Sequence, residues 1–206
     1  MKLKTSTLQG EGQIFRALEL LGVLLGQRTS DHVSLVICGG SALIALELIP
    51  RTTKDVDVVA ILEGDRLISA ETMPNVLVEP ARLVALELAL PEDWLNPGPA
   101  SILNENLPNQ GFPSGFQDRL TRRDFGPALS VYLASRYDLI YFKLYAAVDQ
   151  GGPSRHFTDL VDLKPTDDEL LAAVAWARLH DPSSAFLDTV RSMLAKMERT
   201  DVLSKL

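Results

Sequence analysis

Residues 36–59 read VICGGSALIALELIPRTTKDVDVV, and the order of residue types in this stretch decides the fold. The segment 33–38 is short, β-branched and unbroken, which predicts a largely buried strand. Gly39-Gly40 ends it. SALIALEL, beginning at Ser41, then reads as a helix that Pro50 stops. Residues 55–61 alternate as a second strand. Side chains two apart on a strand share a face, so Asp55 and Asp57 aim together while Val56 and Val58 enter the core. Two carboxylates so placed repel unless a cation neutralises them, and paired hard-oxygen ligands suit Mg²⁺ carrying a phosphate substrate. Gly39 and Gly40 permit close backbone approach to a phosphate. A helix starting near Ser41 would offer that anion free amide donors and a positive dipole end.

Taken one at a time, these residues have plainer meanings. Gly-Gly is a tight turn, Ser41 a helix N-cap, and a paired Asp a solvated strand end. It is the succession strand, Gly-Gly-Ser, helix, Asp-Val-Asp that joins them into one expected site. Arg51 and Lys54 flank the acidic pair and either balance its charge or share its ligand.

Outward from this stretch, residues 12–27 place Ile14, Leu18, Leu21 and Leu25 at helical spacing. A helix is expected over 78–90, closed by Pro91, and an irregular loop over 92–114, where Pro, Asn and Gly are frequent. Residues 116–124 and 129–134 are expected to pair as strands around Gly126-Pro127. From Arg136 the pattern is helical: 137–148, 156–163, 167–179 and 184–197, with breaks at 151–153 and 181–182. These elements predict an α/β (α+β) architecture, an α/β front half followed by a helical tail. Its core is placed at 1–135, with a helical part at 136–206 packing on that core.

The 206 residues are 46% hydrophobic and 23% charged, an ordinary globular composition. The formal net charge of −7 disfavours non-specific binding to duplex nucleic acid as the main activity, although a local basic patch such as Arg119, Arg122 and Arg123 could still form an anion rim. One cysteine, Cys38, leaves no internal disulfide framework and reads as a small buried hydrophobe. The N-terminal residues lack a signal-type apolar segment, and the run 17–25 is too short to span a bilayer. The chain reads as cytoplasmic, with no membrane partner.

Gly40-Ser41 followed by Asp55-Val56-Asp57-Val58 resembles the signature of the DNA polymerase beta-like nucleotidyltransferase superfamily, with a slightly long spacer. GGSA and RTTKDVDV are especially similar to bacterial nucleotidyltransferase-like families related to the AbiEii abortive-infection toxins. Asp138 and Lys143 match a later Asp-x₄-Lys helix of that group, and Asp159 or Asp162 a further Asp motif. The resemblance spans about residues 33–165 and implies a nucleotidyltransferase-type mixed sheet flanked by helices. It implies Mg²⁺-dependent transfer of a nucleoside monophosphate from an NTP such as ATP to an acceptor: a protein side chain, a tRNA end or a small molecule. It also implies a toxin–antitoxin setting with a protein partner. On this resemblance Asp55 and Asp57 are the catalytic and metal-binding residues. Gly39, Gly40, Ser41 and Lys143 bind the nucleotide, and Asp159 orients a base or a second metal. In one respect the chain departs from the pattern. Polymerase-like members carry a third carboxylate on a neighbouring strand, whereas 129–133 has none and Asp118 and Asp124 lie at its flank. That departure keeps a second reading alive, an inactive nucleotide-binding or protein-interaction module of the same fold.

Overall fold

A computed structural model describes residues 8–102, 111–151 and 153–206. Parts of two expected features, the loop over 92–114 and the break at 151–153, therefore lie outside the described residues (103–110 and Gly152).

The first half alternates strands and helices: β1 (Leu8–Gln9), α1 (Glu11–Gly26), β2 (Val33–Cys38), α2 (Gly39–Ala45), β3 (Thr52–Thr53), β4 (Val56–Glu63), β5 (Arg66–Ser69), α3 (Asn75–Leu88), β6 (Leu95–Asn96), β7 (Thr121–Asp124) and β8 (Leu129–Leu133). Helices follow: α4 (Arg136–Asp149), α5 (Arg155–Asp162), α6 (Asp167–His180), α7 (Ser184–Lys196) and α8 (Thr200–Leu203). The main sheet runs β5-β4-β2-β8-β7, and β6 adds to β4 beside the start of that strand. β2 pairs antiparallel with β4 and parallel with β8, so the sheet is mixed, as the resemblance implies.

Both faces of the central strands are covered, which is why β2 is apolar almost throughout. On one face Leu35, Ile37, Val56 and Val58 pack with Leu18 and Leu21 of α1 and Leu77 and Val84 of α3. On the other, Val36, Cys38, Val59 and Ala60 pack with Leu139 and Leu144 of α4, Trp176 of α6 and Val190 of α7. Sheet and C-terminal helices thus share one core, and each fully buried Leu or Val contributes roughly 1.5–3 kcal/mol to it. Gly22 lets α1 reach the sheet: a β-carbon there would stand 1.8 Å from the Phe125 carbonyl oxygen.

A β-bulge decides which core each residue of β4 joins. Val36 pairs with Ala60 but Ile37 pairs with Val58, leaving Val59 extra. The alternation begun at Val56 is therefore offset by one beyond Val59.

The C-terminal helices start where their capping residues dictate. Ser135, Ser154 and Ser183 each accept a hydrogen bond from the backbone amide three residues on, and Thr166 with Glu169 forms a full capping box on α6. Three expectations need correction. Residues 116–120 are not strand: Gln117–Arg119 form a 3-10 turn, with Phe116 buried and stacked on Phe112 and Arg119 reaching forward to Asp138. The expected loop over 92–114 contains β6, anchored by Trp94, whose indole N–H donates to the Ala81 carbonyl. The helix expected at 78–90 begins earlier, at Asn75, and stops at Leu88 because Ala89 turns left-handed at φ 52°. Among the described residues no helix is long and apolar enough to cross a membrane.

Candidate functional site

Where β2 ends, the chain must turn sharply into α2 beside the start of β4, and Gly39 makes that turn at φ +68°. Only glycine fits. A β-carbon there would stand 2.0 Å from Asp57 Oδ2 as well as being strained. Backbone and carboxylate are thus pressed together at the mouth of a cavity of about 310 Å³, to which Gly39, Asp57, Lys143 and His156 all contribute. Ile102, Phe142 and Tyr145 supply apolar wall. A small volume walled by apolar side chains and a few convergent polar groups is the usual form of a ligand site.

Asp57 is held in an unusual state. Its pKa is pushed up to about 6, first by burial and next by the charge of Asp55, against the easing effects of Lys143, a hydrogen bond from Asn96, and Arg51. Asp55 sits just before β4 and accepts a hydrogen bond of 2.8 Å from the buried Thr53 hydroxyl. Two hard oxygen donors are therefore adjacent, and one of them ionises reluctantly without a cation. Mg²⁺ binds through one or two carboxylates with substrate phosphates completing its shell, so this donor set fits. Among the described residues no group of three or more Asp, Glu, His or Cys is arranged around a metal position.

The two strand neighbours of Asp57 carry no acid. On β2 its partner is Cys38, and on β6 it is Asn96. Cys38 is buried, and burial and then the Asp57 charge push its thiol well above the ordinary range, so it is a packing residue and not a nucleophile. Asn96 was invisible in the sequence, because a two-residue strand among Pro, Asn and Gly carries no periodicity.

Lys143 points from α4 into the cavity wall, and its ammonium lies 2.7 Å from Asp159 Oδ2 on α5. The Arg51 guanidinium bonds the same oxygen. All three side chains are nearly enclosed. Among the described residues the buried Nδ1 of His156 has no hydrogen-bond partner, and burial, then the Lys143 charge, lower the pKa of this imidazole. The structure therefore gathers Gly39, Asp55, Asp57, Lys143, Arg51 and Asp159 from five segments of chain, with His156 added.

The remaining candidates lie as follows. Ser41 is in the first turn of α2, which begins at Gly39, not at Ser41; its side chain is fully buried and its hydroxyl donates to the Cys38 carbonyl. Gly40 is buried under Arg51 and Thr53. Lys54 is exposed. Asp138 is fully buried and receives two bonds from Arg119, one of 2.5 Å, plus one from Ser135. That arrangement locks the start of α4 to the preceding loop. Of the basic run, Arg119 is thus committed to Asp138 and Arg122 to Asp124, leaving Arg123 over the Phe15 ring.

Comparison with known proteins agrees with this geometry at one level. A family model described as nucleotidyltransferase of unknown function (DUF6036) matches residues 13–163, and the chain belongs to that family. The matched segment runs from α1 to just past α5 and contains every site residue named above. No curated protein and no solved structure gives a significant match.

Proposed function

From membership of a nucleotidyltransferase family, we propose that the protein transfers a nucleoside monophosphate from an NTP to an acceptor, using Mg²⁺ held by Asp55 and Asp57. The observation that carries this reading is the contact between Gly39 and Asp57 Oδ2 inside a cavity that Lys143 and His156 also line. Mg²⁺, when bound, would supply charge neutralisation for the triphosphate and in-line alignment of attack. The chain itself performs the remaining tasks. Gly39, with no β-carbon, lets the Asp57 carboxylate sit against the turn at the cavity. Lys143, which lines the same cavity, offsets phosphate charge where low surrounding dielectric strengthens its effect. Ile102, Phe142 and Tyr145 exclude water from the reacting end. The acceptor class, whether protein side chain, tRNA end or small molecule, and a toxin–antitoxin setting come from the resemblance to the AbiEii-related group and are proposed on that ground alone.

One observation favours a second reading, nucleotide binding without turnover. Asp57 is flanked in the sheet by Cys38 and Asn96, so neither adjacent strand position carries a third carboxylate. A single experiment separates the two. The purified protein is incubated with Mg²⁺, each α-labelled NTP, and total cell RNA or protein as acceptor, while pyrophosphate release and NTP binding are both followed. Label transfer with pyrophosphate release supports the enzyme, and binding alone supports the module. An Asp55→Asn, Asp57→Asn double variant should stay folded and lose Mg²⁺-dependent NTP binding. Undiminished binding in that variant refutes the site.

A further inference from the structure

We propose that Asp159 is an internal counter-anion that keeps the place of a phosphate, holding Arg51 and Lys143 together until the pyrophosphate end of a nucleotide takes them over. The proposal rests on the nucleotidyltransferase reading and names the residues that receive the leaving end of the substrate. Three features carry it. Lys143 and Arg51 converge on one oxygen of Asp159, Oδ2, as two cations do on a non-bridging phosphate oxygen. The Lys143 side chain is only 5% exposed and that of Arg51 12%, so neither has much water to fall back on. Positive charge also exceeds what Asp159 can match, because the Arg155 guanidinium, bonded to the Thr52 carbonyl, stands beside Arg51 and repels it.

The balance changes when the site fills. Asp57 is within electrostatic reach of both Lys143 and Arg51, and Asp55 of Arg51. In the free protein Asp55, Asp57 and Asp159 therefore all act on Arg51, and Asp57 and Asp159 on Lys143. Once a divalent cation engages Asp55 and Asp57, Arg51 and Lys143 keep only Asp159. An ammonium has three donors and Asp159 takes one, so Lys143, which lines the cavity, retains donors to offer an anion there. His156 lines the same cavity beside Lys143 and adds a neutral polar ring without adding charge. The site is thus tuned to hold phosphate weakly alone and well together with a cation.

The test uses inorganic pyrophosphate without metal, titrated calorimetrically into the full chain. Asp159→Asn should bind it about tenfold more tightly than wild type, since one buried negative charge near the anion is removed. Arg51→Met leaves Lys143 and Asp159 as a one-to-one pair, should keep its fold, and should bind pyrophosphate about tenfold more weakly. Asp159→Asn leaves two cations facing each other; if it does not fold alone, pyrophosphate should restore its melting transition. Equal or weaker pyrophosphate binding by Asp159→Asn, failure of pyrophosphate to restore it, or unchanged affinity in Arg51→Met overturns the proposal. With Mg²⁺-dependent NTP binding by wild type intact, those results remove this inference alone. Absence of that binding removes the parent reading instead.

Discussion

Replacing Asp57 by Asn should stabilise the empty protein, and the gain should depend on pH in a direction fixed by the site. Asp57 has its pKa raised from an ordinary 3.8 to about 6, mainly by burial and by Asp55. The folded state therefore holds this proton more tightly than the unfolded chain does. Stability linked to Asp57 is fully present below about pH 4 and is lost as pH rises through about 6. A gap of about two pH units at about 1.4 kcal/mol each amounts to roughly 3 kcal/mol, nearer 2 once the side chain's partly open face is allowed for. Asn keeps the shape and the Asn96 neighbour but cannot ionise. The variant and the wild type should thus be equally stable near pH 4. They should diverge between about pH 4 and 6, and differ by roughly 2–3 kcal/mol at pH 8, about 5–10 °C in melting temperature for a chain of this size. Parallel urea titrations at pH 4, 5, 6, 7 and 8 measure the gap directly. Saturation with Mg²⁺ and NTP at about 100 times Kd should restore roughly 2.7 kcal/mol to the wild type only, nearly closing the gap. A gap that does not change with pH, or a less stable variant at pH 8, would mean that Asp57 is not desolvated beside Asp55, and the carboxylate pair could not serve as reasoned.

Two further substitutions separate the site from its scaffold. Gly39→Ala puts a β-carbon at a positive φ and 2.0 Å from Asp57 Oδ2, so it should cost about 2 kcal/mol or more and lower Mg²⁺-dependent NTP affinity more than tenfold; unchanged affinity by calorimetry would show that Gly39 does not position Asp57. Asp138→Ala removes the buried partner of Arg119 and Ser135 and should cost about 3 kcal/mol in denaturant titration, while the folded protein binds NTP as the wild type does; lost affinity at full folding would move Asp138 into the site.

What was legible in the sequence was what local periodicity can carry. The unbroken run 33–38, the Gly-Gly stop and the Asp-Val-Asp alternation each report on a few consecutive residues, and each corresponds to an observed element. The pairing of Asp159 with Arg51 joins residues 108 apart in the chain, and no spacing announces it. The helical patterning of α4 does not show that Lys143 is buried with its ammonium against Asp159 of α5. Asn96 and His156 carry no local signal for the same reason: each gains meaning from neighbours brought by other segments. The basic run at 119–123 is similar, since local charge density says nothing of the ion pair that joins Arg119 to the buried Asp138.

The bulge at Val59 shows how a small irregularity governs the chemistry. In an unbroken strand, Val56, Val58, Ala60 and Leu62 would share one face, and Asp57, Val59 and Ile61 the other. The strand instead buries Val56, Val58 and Ile61 together under α1 and α3, and gives Val59 and Ala60 to the core beneath α4. With no extra residue, sending Ile61 under α1 and α3 would carry Asp57 to that dry face, with Leu21, Val84 and their neighbours and no cation within reach. Burying a carboxylate there would cost several kcal/mol. The extra residue lets the second half of β4 satisfy the apolar core while the first half turns Asp55 and Asp57 toward Lys143 and Arg51. The carboxylate pair and the cations that temper it therefore meet on one face because β4 is irregular two residues beyond Asp57.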